Sequence, residues 1–65
     1  MNGMNINEAR ANAYQYSRLL ATMTGEDKIV EFRQVSATDF VYGERGTIDQ
    51  HGLLVGAFQN GKAVA

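Results

Sequence analysis

The sequence predicts an α+β domain in which one N-terminal helix packs on an antiparallel meander of three or four strands. Curling of that sheet into a small barrel is the variant. Three observations carry the expectation. Residues 5–24 keep a helical period, the period becomes strand-like from Lys28 onward, and clusters of turn residues cut the rest into short apolar runs.

The helix comes first. Ile6, Ala9, Ala13, Tyr16, Leu20 and Met23 follow one another at spacings of 3, 4, 3, 4 and 3. At about 100° per residue they share one side of a helix. Leu19 widens the stripe, while Glu8, Gln15, Arg18 and Thr22 lie opposite. Asn5 is a suitable N-cap and Glu8 completes a capping box, with Asn7 as the competing cap. Gly25 can close the helix in the left-handed conformation. Ala9 and Ala13 are small, so the stripe is expected to approach its neighbour closely. That neighbour is the protein's own sheet, or else the helix of a second copy. The spacing is that of a coiled coil, but it lasts too few heptads for a zipper.

Strands are expected at about 28–35, 40–48, 53–58 and 62–65. In the first, Val30 and Phe32 face the helix, and Glu31 and Arg33 face away. Ser36 to Asp39 is a turn of small or polar residues. Phe40–Ile48 reads as one strand bent or bulged at Gly43–Gly46, in preference to two short strands with a turn at Glu44-Arg45. Asp49 to Gly52 is a turn. Leu53–Phe58 is the most apolar run and is expected to be central, with Gly56 admitting a side chain from the helix. Asn60-Gly61 predicts a type I′ hairpin. Met1–Met4 is expected to fray. The reverse face of the sheet, with Glu31, Arg33 and Val41, is expected to be open as a contact surface, or filled if the sheet closes.

With 65 residues the chain makes a single domain over 1–65, and its core is small. It has no Cys and one His, so disulfides, thiolate sites and multi-His sites are excluded, and no metal or cofactor is expected. An oligomer or a bound partner is the expected source of extra support. Six basic and seven acidic residues are interspersed, which speaks against a dedicated phosphate-backbone binder. A hydrophobic content of 45% speaks against disorder. No apolar run reaches membrane-spanning length and no apolar leader is present, so a cytoplasmic protein with no membrane partner is expected.

Catalytic signals are sparse. His51 and Asp49 could pair, with Ser17 or Ser36 as nucleophile, but a lone His in a turn is ordinarily a solvated residue. Gly43-Glu44-Arg45-Gly46 has the spacing of an RNA-binding loop, yet it sits between strands rather than helices. An enzyme is therefore not expected. Tyr14 lies off the apolar stripe and should be partly exposed, as interface tyrosines are.

The element order, a helix followed by short twisted strands, resembles the layout of the Sm-like RNA-binding proteins, which form rings. The likeness covers most of the chain in order and length, and its glycine and Asp positions match only loosely around Gly46 to Asp49. No residue role is carried over. In size and lack of an active site the chain is also similar in kind to small inhibitor or accessory proteins of phages and mobile elements. The expected function is a non-catalytic protein–protein interaction module (an inhibitor, adaptor or regulator) binding another protein or itself as a homo-oligomer. Its expected contact residues are Tyr14, Arg33, Tyr42, Arg45 and His51. Nucleic-acid binding by an oligomeric small barrel is the alternative, and it requires Arg33, Arg45 and Lys62 on one face with Tyr42 among them.

Overall fold

A computed structural model describes residues 4–48 and 50–64 of the chain. Helix α1 (Ile6–Thr24) begins as its sequence dictates. The Asn5 side chain accepts from the Glu8 backbone N–H at 2.8 Å, and Glu8 Oε1 accepts from the Asn5 N–H at 3.0 Å. Both bonds satisfy donors that the first helical turn leaves without partners. Gly25 ends the helix at φ 73°, its N–H donating to the Ala21 carbonyl. Asn5→Ala is expected to destabilise the fold by about 1 kcal/mol, read as a lower urea midpoint at unchanged slope.

Ala9 and Ala13 are fully buried against Val30 and Phe32, with Ile6, Tyr16 and Leu20 packed around them. Two alanines in succession let the helix backbone sit close to β1. Met23, expected in the stripe, is 71% exposed. Ser17 takes a place in the buried face instead. Its hydroxyl donates to the Tyr14 carbonyl at 2.8 Å and accepts from the Gly61 N–H at 2.9 Å. This is a direct tie from helix to hairpin turn. Ser17→Ala would strand the Gly61 N–H, and a loss of about 1–3 kcal/mol is expected in chemical denaturation.

Strands β1 (Ile29–Gln34), β2 (Phe40–Glu44), β3 (Leu53–Gln59) and β4 (Lys62–Val64) form one antiparallel sheet in the order β2-β1-β3-β4. The step from β2 to β3 passes β1, so β1 lies between them. The sheet stays open, with β2 and β4 at its two edges, and it does not curl into a barrel. Val30 pairs with Glu44 and Phe58, and Phe32 with Tyr42 and Gly56, so these residues share the helix-facing side. Glu31 pairs with Gly43 and Ala57 on the reverse side. Asn60 at φ 49° and Gly61 at φ 77° make the type I′ turn between β3 and β4.

Two expectations are corrected. The strand expected over 40–48 stops at Glu44. Thr47 donates to the Glu44 carbonyl through both its N–H (2.9 Å) and its hydroxyl (2.7 Å), and Gly46 turns the chain at φ 91°. Ile48 then folds back so that its Cγ2 fills the space where a Cβ on Gly43 would project. Gly43 therefore receives the returning loop rather than bending a strand. Gly56 admits no helix side chain. The Phe32 ring, from the neighbouring strand, lies 2.8 Å from where a Gly56 Cβ would be. Met1–Gly3, Asp49 and Ala65, the last expected in the final strand, lie outside the described residues.

Candidate functional site

The reverse face of the sheet was expected to be open. At its centre it is closed by an ionic clamp. Glu31 is 2% exposed, as if it were a core residue. Its Oε1 accepts from Arg33 Nε at 2.9 Å and its Oε2 from Arg45 Nε at 2.7 Å. Arg33 extends the clamp into the returning loop, donating to the carbonyls of Gln50 (3.2 Å) and Gly52 (2.7 Å) and to Gln50 Oε1 (3.1 Å). The Arg33 hydrogen bond, foremost, holds the Glu31 carboxyl below the usual carboxylate range. Burial works the other way, and Arg45 adds to the lowering. The clamp fastens Arg45, Gln50 and Gly52 over the sheet. Among the described residues no group of His, Cys, Asp or Glu is placed to hold a metal ion.

The five expected contact residues therefore do not make one site. Arg33 and Arg45 meet on Glu31, on the reverse face. Tyr42 lies on the helix side, its ring packed edge-on to Tyr16 at 5.9 Å. His51 is exposed in the loop before β3. Tyr14 is 38% exposed, on the flank of α1 above β3. Tyr42 thus does not join Arg33 and Arg45 as the nucleic-acid alternative requires, and both of those cations are already bonded to a carboxylate.

Around Tyr14 the structure assembles a different surface. Asn7, Arg10, Ala11, Tyr14 and Gln15 of α1, with Phe58 of β3, line an open groove of about 390 Å³. Its two aromatic rings continue a series that ends in the buried Phe32. Tyr14 meets Phe58 edge-on at 5.7 Å, and Phe58 lies nearly parallel to Phe32 at 6.0 Å. A guanidinium stands at each end, Arg10 over Phe32 at 5.8 Å and Arg18 over Tyr14 at 5.9 Å. Neither arginine has a carboxylate within salt-bridge distance among the described residues.

Beside the groove runs an incomplete sheet edge. β3 pairs with β1 along its length, but β4 covers only Ala57 to Gln59. Among the described residues nothing pairs with the outer edge of Leu53–Val55. Leu53 is 68%, Leu54 40% and Val55 36% exposed, and Val35 nearby is 41% exposed. The register slips by one residue at Val55, where Phe32 pairs with Gly56 and Arg33 with Leu54. That bulge is the one edge-protecting device on the stretch, which carries no Lys or Pro. The apolarity of 53–58 suggested a central strand. It is interior to the sheet, yet its first half lacks a second neighbour because β4 is three residues long. Its exposure could not be read from the run itself.

No family model, no curated protein and no solved structure matches the chain. No helix among the described residues is long and apolar enough to cross a membrane.

Proposed function

We propose that this protein is a small non-catalytic interaction module that binds another protein by accepting an extended segment on β3. The single observation that supports it is the unpaired edge at Leu53–Val55 with its exposed apolar side chains. Such an edge presents N–H and C=O groups ready to pair, and strand addition is a common way for one protein to hold another. Three successive exposed apolar side chains on one short strand leave apolar surface for a partner to cover. A cytoplasmic inhibitor, adaptor or regulator fits a cysteine-free chain with no catalytic group assembled among the described residues.

A random-peptide display selection against the folded protein tests this, with a Leu53→Lys/Val55→Lys double variant as comparison. Circular dichroism first establishes that the variant is folded. Enriched peptides are expected to bind the variant at least about tenfold more weakly. Equal binding to both proteins, or a selection that enriches nothing, would remove the proposal.

A further inference from the structure

We infer that Asn60-Gly61, at the tip of the β3–β4 hairpin, is a site of spontaneous covalent modification that Ser17 holds in check: the Gly61 nitrogen closes on the Asn60 side chain to form a succinimide, and the isoaspartyl product releases β4.

The chemistry needs only the chain and water. Glycine after asparagine leaves the attacking nitrogen uncrowded, because it has no side chain. The Gly61 nitrogen gives up its hydrogen and bonds to Asn60 Cγ. The Cγ–Nδ2 bond breaks, and Nδ2 leaves as ammonia with that hydrogen. Water then opens the ring at either carbonyl. One opening gives aspartate. The other gives isoaspartate, whose main chain runs through the former side chain. Asn60 is exposed, so water reaches the ring.

The folded hairpin obstructs ring closure in two ways. Asn60 has φ 49°, and in a type I′ turn its ψ is about +30°, the mirror of a type I turn. Closure needs the Gly61 nitrogen eclipsed with Asn60 Cβ, and at that ψ the two lie nearly opposite. The Gly61 N–H, which must be lost, also donates to Ser17 Oγ at 2.9 Å, and Ser17 is fully buried. The Arg18 side chain lies close against Gly61 as well. The turn must therefore leave α1 and rotate before it reacts. That opening is local, since β4 is three residues long and pairs with Ala57–Gln59.

The product does not close again. The two-residue turn sets the register Gln59↔Lys62, Phe58↔Ala63 and Ala57↔Val64. Isoaspartate adds a carbon to the main chain of the turn, which displaces that register and leaves β4 unpaired. The outer edge of β3, open at Leu53–Val55, is then open as far as Gln59. The inference rests on the hairpin's own geometry and not on the strand addition proposed above.

The test incubates the full chain in mildly alkaline buffer and follows Asn60 by peptide mass mapping, with the isoaspartyl form separated by chromatography. Cleavage after basic residues places Asn60 in 46–62 and the other Asn-Gly pair, Asn2-Gly3, in 1–10, so the two are read apart. Ser17→Ala is expected to speed conversion of Asn60 about fivefold, the change in open population that one lost hydrogen bond gives. Asn5→Ala, which weakens the helix start without touching the turn, should leave the rate unchanged. Wild type in unfolding urea should convert at least about tenfold faster than when folded, a comparison that holds even if Ser17→Ala fails to fold. Amide exchange on the isoaspartyl chain should show protection lost across Ala57–Gln59 and Lys62–Val64 while β1 keeps it. No conversion in urea, or equal rates in folded and unfolded wild type, would overturn the inference. Equal acceleration by Ser17→Ala and Asn5→Ala would show that Ser17 is no specific restraint, and intact protection of β4 after conversion would overturn its release.

Discussion

Glu31→Ala is expected to destabilise the protein by about 3–5 kcal/mol, the range found when one partner of a buried ion pair is removed. Its carboxylate is 2% exposed and the Arg33 side chain 12%, so water cannot replace what the substitution removes. Arg33 keeps its bonds to the Gln50 and Gly52 carbonyls, but its charge is left with no counter-ion beneath the loop. Arg45 is a contrast within the same cluster. Its side chain is 42% exposed, and Arg45→Ala should cost only about 1 kcal/mol or less. A domain of this size has roughly 3–10 kcal/mol in total, so Glu31→Ala could sit at the edge of unfolding. Glu31→Gln keeps one acceptor and should remain folded, with a loss of about 2 kcal/mol in urea titration. A change below about 0.5 kcal/mol for Glu31→Gln would show that the clamp contributes nothing to holding the loop.

The same cluster sets the response to acid. Because Arg33, above all, lowers the Glu31 carboxyl, the folded chain binds fewer protons than the unfolded chain between the folded value and the ordinary one. The stabilisation is complete above the ordinary carboxylate range of about pH 4.3. It is lost as pH falls from there through the lower folded value. Wild-type stability should therefore drop in that window, and Glu31→Gln should show a shallower acid limb. Denaturation series at neutral pH and at several points below pH 4.3 compare the two slopes. Parallel slopes would mean that Glu31 does not titrate differently in the folded state.

Local chemistry made much of this fold legible in the sequence. Asn5 with Glu8, Gly25, and Asn60-Gly61 each fix backbone geometry through neighbours within a few residues, and all three appear as read. The inward set Val30 and Phe32 follows from strand alternation. What the sequence concealed depends on partners far apart along the chain. Ser17 reads as polar until Gly61, 44 residues on, supplies its N–H. Glu31 and Arg33 read as a solvated face, because nothing local says that Arg45, Gln50 and Ile48 return over them. Gly43 looks like a bend until Ile48 is seen lying across it. The candidate site was legible only in Tyr14, whose place off the stripe implied exposure. Arg10 and Leu53–Val55 were hidden because strand order and the length of β4 decide which apolar residues are covered. Neither quantity is written in the residues themselves.

Phe32→Ala is expected to be as damaging as Glu31→Ala, at about 3–5 kcal/mol, because it empties the centre of the helix–sheet contact. The ring is 4% exposed, stacks on Phe58, carries Arg10 above it and reaches over Gly56. The last contact gives a way to separate packing from general disruption. Gly56→Ala alone should destabilise by about 1–3 kcal/mol, since its Cβ would lie 2.8 Å from ring atoms that have little room to move. In Phe32→Ala/Gly56→Ala the ring is gone, and the new methyl enters the space that it left. The double variant should therefore lose less than the two single losses together, by about 1 kcal/mol or more. Because Phe32→Ala alone approaches the total stability of a small domain, Phe32→Leu is the practical partner in the cycle, with the same sign expected. Additive losses would mean that Phe32 and Gly56 do not compete for one volume.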